Sequence, residues 1–179
     1  MWLDLDPLFV LPRRIQPFIE VLAERLRQYN IEAVCGPLVG GAFLAQVVAS
    51  LLDIDFYYAE RFVPDVRDTL FSVEYRIPHG VGGMVRGKSV AVVDDAISAG
   101  SAVRGTLAAL RSHGAKPVAL GALLVLGTQA EQYCREQGLA LEYIAQLSYD
   151  VWLPEECPLC ASGVVLDDMG APTQTPGSH

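Results

Sequence analysis

The sequence predicts an α/β fold, with a doubly wound, mostly parallel sheet, flanking helices and a small hood or loop region. Strand-like and helix-like segments alternate along most of the chain. The strand-like segments, among them residues 31–36, 89–93 and 117–126, are continuous apolar runs, which is typical of parallel strands covered by helices on both faces. Ligands in such folds bind beyond the carboxyl ends of the strands, so the turns at residues 36–41 and 94–101 are the first candidates for a site.

The first four elements are predicted from spacing and composition. Residues 13–29 carry apolar side chains at helical spacing with charges between them, which predicts a helix. The short apolar run at residues 31–36 ends at a glycine and predicts a strand. Residues 42–52 are apolar on nearly all sides and predict a buried helix, and residues 55–62 predict the next strand.

The middle of the chain is less regular. Residues 63–88 hold prolines and glycines and predict an irregular region, in which residues 71–77 form part of a hairpin. A strand is predicted over residues 89–93. A helix is predicted over residues 101–113, with Gly114 as the residue that ends it.

The C-terminal third continues the alternation of strand and helix. Residues 117–126 predict a buried strand, and residues 141–147 predict the last strand. Between them, Thr128 is suited to cap the N-terminus of a helix over residues 129–137, which Gly138 ends.

The chain length of 179 residues predicts one domain over residues 1–179. Its core is expected at about residues 12–148. Residues 149–168 form an aromatic, proline-rich segment with two cysteines, and residues 170–179 carry no core side chains and predict a frayed tail.

Composition and charge exclude several classes of protein. An apolar content of 51% with 19% charged residues indicates a compact rather than a disordered chain. The apolar run at residues 118–126 is far shorter than the roughly 20 residues that span a bilayer, and the first residues resemble no secretory signal, so a cytoplasmic protein is expected. The net charge of −8 argues against a nucleic-acid partner, although backbone N–H groups can still bind a small anion.

Residues 90–102 (VAVVDDAISAGSA) combine groups that suit a sugar phosphate. Asp94 and Asp95 follow an apolar strand, and two neighbouring carboxylates repel each other unless a cation or hydroxyl groups lie between them. The small residues after them leave N–H groups open where a helix begins, and the hydroxyls of Ser98 and Ser101 are further donors. A ligand that carries both a phosphate and vicinal hydroxyls would satisfy both halves of the segment.

This segment resembles the phosphoribosyl-pyrophosphate (PRPP) signature of type I phosphoribosyltransferases. The resemblance implies that the two aspartates face the ribose hydroxyls and take part in catalysis, and that the loop after them cradles the 5′-phosphate. The residues implied in this contact are Asp94, Asp95, Ala96, Ile97, Ser98, Ala99, Gly100 and Ser101. Residues 36–45 (GPLVGGAFLA) resemble the family's pyrophosphate-binding loop. The residues of that loop are Pro37, Leu38, Val39, Gly40 and Gly41.

Each motif taken singly has another interpretation. Gly40 and Gly41 alone are typical of a plain turn before a helix, and an acidic pair after a strand is often a solvated strand end or a magnesium-binding pair, as in phosphate receivers. A nicotinamide dinucleotide fold is disfavoured because residues 36–41 lack the G-x-G-x-x-G pattern. The two motifs in their correct order favour the phosphoribosyltransferase.

The resemblance implies a glycosyltransferase of nucleotide metabolism, which transfers the 5-phosphoribosyl group of PRPP to a nitrogenous base and releases pyrophosphate. Displacement at the anomeric carbon has oxocarbenium character and needs no nucleophilic side chain. Mg²⁺ is the implied cofactor, held chiefly by diphosphate and ribose oxygens. The family also implies a homodimer, with no nucleic acid and no membrane as partner.

Within this family the chain most resembles the orotate phosphoribosyltransferases of pyrimidine nucleotide biosynthesis and salvage. The similar segments are residues 58–61 (YAER), 86–88 (RGK) and 99–104 (AGSAVR). Residues 2–9 (WLDLDPLF) resemble the end of an early segment of those enzymes, so either the protein is short or the sequence starts within a longer one.

The chain also departs from the orotate enzymes. Arg61 matches an expected arginine, but Phe62 stands where a lysine is expected. Arg67 and Arg76 are the further candidates to neutralise the departing diphosphate, with solvated loop arginines as the alternative. Thr128 replaces the arginine that holds the orotate carboxylate, so the base stays open. A purine or another base, or a non-catalytic PRPP-binding regulatory domain, are the alternatives.

The four cysteines fall into two pairs. Cys35 and Cys134 lie in predicted core elements and are expected to be buried, inert thiols. Cys157 and Cys160 form a single C-x-x-C motif, which supplies half of a tetrahedral zinc site. The alternative is a proline-turned loop with two packed thiols.

Overall fold

The computed structural model of this chain describes residues 5–62, 74–148 and 155–164. The chain divides into two compact units, Met1–Tyr149 and Asp150–His179. A single domain over the whole chain stays a prediction. Among the helices of the described residues, none has the length and apolar character that a membrane crossing requires.

Helices and strands alternate along the first unit. In chain order they are α1 (Asp6–Val10), α2 (Pro12–Arg27), β1 (Ala33–Pro37), α3 (Gly40–Leu52), β2 (Asp55–Phe62), β3 (Glu74–Arg76), α4 (His79–Gly82), β4 (Ser89–Ile97), α5 (Ser101–Ser112), β5 (Lys116–Leu126), α6 (Gln129–Gln137) and β6 (Ala140–Leu147). In the second unit the described residues include the short helix α7 (Pro158–Ala161).

The strands of the first unit form one sheet in the order β3–β2–β1–β4–β5–β6. Neighbouring strands from β2 to β6 pair in parallel, and β3 pairs antiparallel with β2 at the edge. This arrangement confirms the predicted α/β fold with a mostly parallel sheet. The chain runs from β1 to β2 on one side and from β4 to β5 on the other, so the strand order reverses between β1 and β4. A crevice at such a reversal is where open α/β sheets bind ligands.

Apolar side chains on both faces of the sheet are buried, as the continuous apolar strands predict. Successive residues of β4 point to opposite faces. Val92 belongs to one core cluster with Leu107 of α5, whereas Val93 belongs to another with Leu22 of α2 and Leu44 of α3. Because helices cover both faces, the strands are apolar at consecutive positions.

The strand β4 is longer than the sequence predicts. It continues through Ile97, so Asp94 and Asp95 lie inside the strand and not after it. The reason is the partner strand β5, whose apolar residues pair with β4 as far as Ile97 opposite Val125. The acidic pair therefore has the fixed geometry of a strand backbone.

Other differences concern the ends of helices. The short helices α1, α4 and α7 are absent from the sequence-based prediction, because segments of four or five residues carry no helical periodicity. Thr128 is the N-cap residue of α6 as predicted, but its side chain makes no capping hydrogen bond within the described residues. Gly138 ends α6 with a φ of 65°, which confirms its predicted role.

Candidate functional site

The turns after β1 and β4 meet at the point where the strand order reverses. β1 and β4 are paired neighbours, with Cys35 opposite Val92. Both strands run in the same direction and end at the same edge of the sheet, where α3 and α5 begin. The two motifs that the sequence analysis selected are therefore brought together by the fold.

Glycines let the first turn approach the acidic pair very closely. A Cβ atom at Gly40 would lie 2.5 Å from Oδ2 of Asp95. A Cβ atom at Gly41 would lie 2.7 Å from Oδ1 of Asp94 and 2.9 Å from the carbonyl oxygen of Val93. Neither position has room for a side chain, so the first turn and the two carboxylates form one continuous surface.

The first turn is shorter than the predicted loop of residues 37–41. Pro37 is the last residue of β1, and Gly40 already begins α3, which leaves Leu38 and Val39 between the two elements. The peptide bond between Leu38 and Val39 is cis. Both side chains are exposed.

Two helices begin beside the acidic pair without a side-chain cap. The N-cap residues are Val39 for α3 and Gly100 for α5, and neither provides a capping hydrogen bond from its side chain within the described chain. Gly100 has a φ of 79°, a conformation that favours glycine. N–H groups in the first turn of a helix bind anions, aided by the helix dipole. The arrangement places two such anion-binding helix starts beside two carboxylates.

Burial and mutual repulsion control the protonation of the acidic pair. Asp94 is 8% exposed, and Asp95 is half-buried. Burial raises the pKa of Asp94 well above its ordinary value, and the charge and side-chain hydrogen bond of Asp95 raise it further. The N–H of Asp95 donates to Oδ1 of Asp94 at 3.1 Å, and the N–H of Ala96 donates to Oδ1 of Asp95 at 2.8 Å. Hydroxyl groups of a ligand would relieve the repulsion by donating to the two carboxylates.

Tyr75 is a site neighbour that the sequence analysis did not select. It lies on β3 opposite Arg61 of β2. Burial raises the pKa of Tyr75, while the Arg61 charge lowers it and the Asp94 carboxylate raises it. Tyr75 packs on α5, where a Cβ at Gly105 would lie 2.4 Å from its ring. A glycine inside a helix usually has a packing reason, and this signal could have drawn attention to the contact.

Of the other two predicted arginines, Arg76 lies within the described residues and makes two side-chain contacts. The guanidinium carbon of Arg76 lies 3.5 Å from the centre of the Phe62 ring. Arg76 also forms an exposed ion pair with Glu74 at 2.9 Å. Its side chain is therefore engaged along the edge of the hairpin. Arg67 lies outside the described residues.

The carboxyl end of β5 carries neutral polar groups. Thr128 is exposed, and the side-chain amide of Gln146 donates to the carbonyl oxygen of Gly127 at 2.9 Å and to Glu131 at 3.2 Å. The N–H of Gly127 donates to the carbonyl oxygen of Leu147 at 2.9 Å. These contacts hold the end of β5 to β6 and α6.

Among the described residues, no group of three or more His, Cys, Asp or Glu side chains is arranged to hold a metal ion. Cys35 and Cys134 are buried, as predicted. Cys157 is half-buried and Cys160 is exposed in the second unit. A zinc ion bound by Cys157 and Cys160 therefore has no further ligand in the described part of the chain.

Comparison with known proteins agrees with this geometry. The sequence matches the family model described as "Phosphoribosyl transferase domain" over residues 8–155. The chain is 31% identical to the orotate phosphoribosyltransferase of Thermotoga maritima over 162 residues, which cover 89% of this chain and 74% of that protein. Among solved structures, orotate phosphoribosyltransferase from Aeropyrum pernix is similar at 25% identity with a TM-score of 0.64, covering 82% of this chain and 78% of that one.

An adenine phosphoribosyltransferase from Thermoanaerobacter pseudethanolicus shares the fold. Its TM-score is 0.67 at 18% identity, and the alignment covers 82% of this chain and 88% of that one. Fold and sequence together define an α/β protein of the phosphoribosyltransferase type. The chain belongs to the phosphoribosyl transferase domain family, within the glycosyltransferase class, and the predicted family is confirmed.

Proposed function

We propose that the protein transfers the 5-phosphoribosyl group of PRPP to a nitrogenous base and releases pyrophosphate, with orotate as the first base to test. One observation carries this proposal. Gly40 and Gly41 place the uncapped start of α3 against the carboxylates of Asp94 and Asp95, which precede the uncapped start of α5. PRPP carries a diphosphate, vicinal hydroxyls and a 5′-phosphate. The site offers one matching group for each of them.

In this proposal each part of the site has a separate task. The turn of residues 37–41 binds the diphosphate through backbone N–H groups, and residues 96–101 bind the 5′-phosphate at the start of α5. Asp94 and Asp95 accept hydrogen bonds from the ribose hydroxyls and lie on the side where positive charge develops at the anomeric carbon. Arg61, which lies opposite Tyr75 in the β2–β3 pair, would neutralise charge on the leaving diphosphate.

Mg²⁺ fits this site as a cofactor that arrives with PRPP. Asp94 and Asp95 are oxygen ligands of the kind that Mg²⁺ prefers, and Mg²⁺ usually keeps water and substrate phosphate among its ligands. When bound, Mg²⁺ would supply charge neutralisation to the diphosphate. The zinc prediction for Cys157 and Cys160 is not part of this proposal, since the described residues offer no third ligand. The cytoplasmic location stays a prediction.

Two observations bear on the identity of the base, and they point to different bases. Curated relatives such as the Thermotoga maritima protein are named orotate phosphoribosyltransferases. Thr128 and Gln146 offer neutral groups at the end of β5, where a cation would hold an orotate carboxylate. This observation favours a purine or another uncharged base as the second candidate.

A panel of bases tests the proposed reaction. The full chain is incubated with PRPP, Mg²⁺ and each of orotate, uracil, adenine, guanine and hypoxanthine, and pyrophosphate release is followed. Turnover with any base supports the transferase, and turnover with orotate identifies the expected substrate. Binding of PRPP without turnover on any base would contradict the transferase and favour a regulatory PRPP-binding domain.

A pair of matched variants tests the site. Asp94→Asn combined with Asp95→Asn is expected to weaken PRPP binding by at least about 100-fold, since hydrogen bonds to charged groups contribute about 1.5–3 kcal/mol each. Asp53→Asn, an exposed aspartate at the far end of α3, is the control and should bind PRPP normally. Equal affinity in all three proteins would contradict the assignment of the acidic pair.

The homodimer is the proposed assembly, supported by an apolar surface on α1, α2 and α3. A groove of about 530 Å³ lies between these helices. Its lining side chains include Phe9, Ile15, Phe43, Val47 and Leu51. Val10 beside it is 75% exposed, and contiguous apolar surface of this kind is typical of an interface.

Sedimentation velocity tests this assembly. Phe43→Glu is expected to shift the protein from dimer to monomer, because it places a charge in the groove. Met84→Glu changes another exposed apolar residue, outside the groove, and should leave the dimer intact. A monomeric wild-type chain at micromolar concentration would contradict the proposal.

A further inference from the structure

The C-x-x-C motif of the second unit is a chemical site that the proposed function does not use. Cys157 is the N-cap residue of α7, and Cys160 lies one helical turn later. The turn is closed by hydrogen bonds from the N–H of Ala161 to the carbonyl oxygen of Cys157 at 3.0 Å and from the N–H of Gly163 to that of Cys160 at 3.1 Å. This backbone holds both thiols on the same side of one short turn.

The two thiols interact with each other. Each thiol shifts the pKa of the other. The N–H of Cys160 donates to the Cys157 sulfur and lowers the pKa of that thiol, and the Cys160 thiol and the N–H of Leu159 lower it further. The pKa of Cys160 is raised, because its thiol is bound to Cys157 and faces that charge. One sulfur is thus prepared to act as the thiolate and the other as its proton-bearing partner.

The other two cysteines have the opposite surroundings. Burial raises the pKa of Cys35 to about 12 and the pKa of Cys134 to about 11. Both thiols are buried in the core of the first unit, whereas Cys160 is exposed and Cys157 is half-buried. Since the thiolate is the reactive form, the chain contains one pair suited to thiol chemistry and one pair that is protected from it.

We propose that Cys157 and Cys160 are a redox-active dithiol that closes reversibly to an intramolecular disulfide by exchange with a small-molecule disulfide such as glutathione disulfide. The Cys157 thiolate attacks one sulfur of that disulfide, which forms a mixed disulfide and releases one thiolate. Cys160 then loses its proton and attacks the Cys157 sulfur, which forms the internal disulfide and releases the second thiol. The chain loses two electrons and two protons, and the small disulfide is reduced to two thiols.

This inference is independent of the proposed transferase activity. It needs only the spacing and exposure of two thiols on one backbone turn inside the second unit. A tetrahedral metal site would need two additional ligands, and none is grouped with these cysteines in the described residues. The dithiol interpretation therefore explains the spacing and exposure of the two cysteines without additional metal ligands.

Redox titration of the full chain tests the proposal. The protein is equilibrated in buffers of varied reduced to oxidised glutathione ratio, quenched with acid, alkylated after denaturation and analysed by peptide mass spectrometry. The expected result is one internal disulfide that joins Cys157 and Cys160, with Cys35 and Cys134 alkylated at every ratio. In the reduced native protein, Cys157 should react with iodoacetamide at least about fivefold faster than Cys160.

Single variants separate the roles of the two thiols. Cys160→Ser should accumulate a stable glutathione adduct on Cys157, because the resolving thiol is absent. Cys157→Ser should form such an adduct much more slowly, and Cys35→Ser should behave as wild type. Thiols that stay reduced at all ratios, or two independent glutathione adducts, would overturn the proposal. Stoichiometric zinc that protects both thiols until a chelator is added would overturn it as well and establish a metal site.

Discussion

The strand-to-helix turns and the β2–β3 hairpin border the same candidate site, but different kinds of contact hold them. In the turns, the backbone at Gly40 and Gly41 lies so close to the carboxylates of Asp95 and Asp94 that neither position has room for a Cβ atom. In the hairpin, Arg76 is held by the Phe62 ring and by an exposed carboxylate. The close approach of the backbone is fixed by the fold, whereas the partner in an exposed ion pair can be replaced by another charged group.

This difference divides the site into a preformed half and an adaptable half. In the proposed function, the preformed half is the part that binds the sugar and its phosphates, through groups that the sheet fixes in place. The adaptable half presents side chains whose present partners, such as Glu74, could be replaced by a phosphate oxygen. Substitutions in the turns should therefore have larger effects on activity than substitutions in the hairpin.

Gly41→Ala should cause the largest loss. The new Cβ would lie 2.7 Å from Oδ1 of Asp94 and 2.9 Å from the backbone oxygen of Val93, so the turn must move. Displacements of about 1 Å can reduce activity about 100-fold, and we expect a loss of that size in kcat/KM for PRPP. Gly83→Ala, which meets no atom within 4 Å, is the control. Near-normal kinetics of Gly41→Ala would show that the turn tolerates movement.

Gly105→Ala should have the second largest effect, because it pushes Tyr75 away from α5. The added Cβ would lie 2.4 Å from Cδ2 of the Tyr75 ring. Overpacking of this kind costs about 1–3 kcal/mol in the free energy of unfolding. The displaced hairpin should also lower kcat by about tenfold if Arg61 is placed through Tyr75.

A double-mutant cycle with Tyr75→Leu separates packing from placement of the arginine. Tyr75→Leu/Gly105→Ala should recover the free energy of unfolding, since the smaller side chain leaves room for the Cβ. Recovery of stability without recovery of kcat would support a positioning role for Tyr75. Strict additivity of the two substitutions in unfolding would contradict the contact itself.

The arginines of the hairpin should give the next smaller effects, and they should differ. Arg61→Ala should lower kcat/KM about tenfold, which corresponds to the lower end of the roughly 1.5–3 kcal/mol that a charge-assisted hydrogen bond contributes. Arg76→Ala should lower it less, because its guanidinium is already engaged by Phe62 and Glu74. Steady-state kinetics with varied PRPP checks both. A larger loss for Arg76→Ala would show that PRPP draws this side chain into the site.

The sequence was sufficient to predict that the two turns and the acidic pair lie together at one edge of the sheet. Continuous apolar strands, two glycine-bearing turns and the Asp94–Asp95 pair are local patterns, and the parallel sheet brings them to one edge. The length of β4 was mispredicted because two charges are a normal sign of a strand end. The pairing with β5, which carries the strand on to Ile97, is a long-range contact that a local pattern does not contain.

The hairpin half could not be predicted in the same way. Tyr75 approaches the acidic pair only because β3 pairs antiparallel with β2 and packs on Gly105. Arg76 was selected from its charge, but the ring of Phe62 and the carboxylate of Glu74 decide where that charge lies. Side-chain contacts between distant segments follow from tertiary packing, and no spacing rule anticipates them.

The smallest expected effect is the loss of folding stability caused by the buried carboxylate of Asp94 in the preformed half. Because burial raises the pKa of Asp94, the folded state favours the protonated carboxyl. The resulting contribution to the free energy of unfolding is lost as pH rises through the raised pKa. Above that pKa the buried charge destabilises the fold. Asp94→Asn removes the charge, and its amide oxygen can still accept the hydrogen bond from Asp95.

Thermal unfolding in the absence of PRPP measures this cost. Asp94→Asn should unfold at a higher temperature than wild type near pH 7, by roughly 2–4 °C for each kcal/mol recovered. The gain should shrink as pH falls toward 3.8, the ordinary pKa of an aspartate, and vanish below it, where the carboxyl is protonated in both states. Asp53→Asn, at an exposed position, should show no such pH-dependent gain. A destabilised Asp94→Asn at neutral pH would mean that the ionised carboxylate contributes to the fold, and that the turns after β1 and β4 are held together partly by its charge.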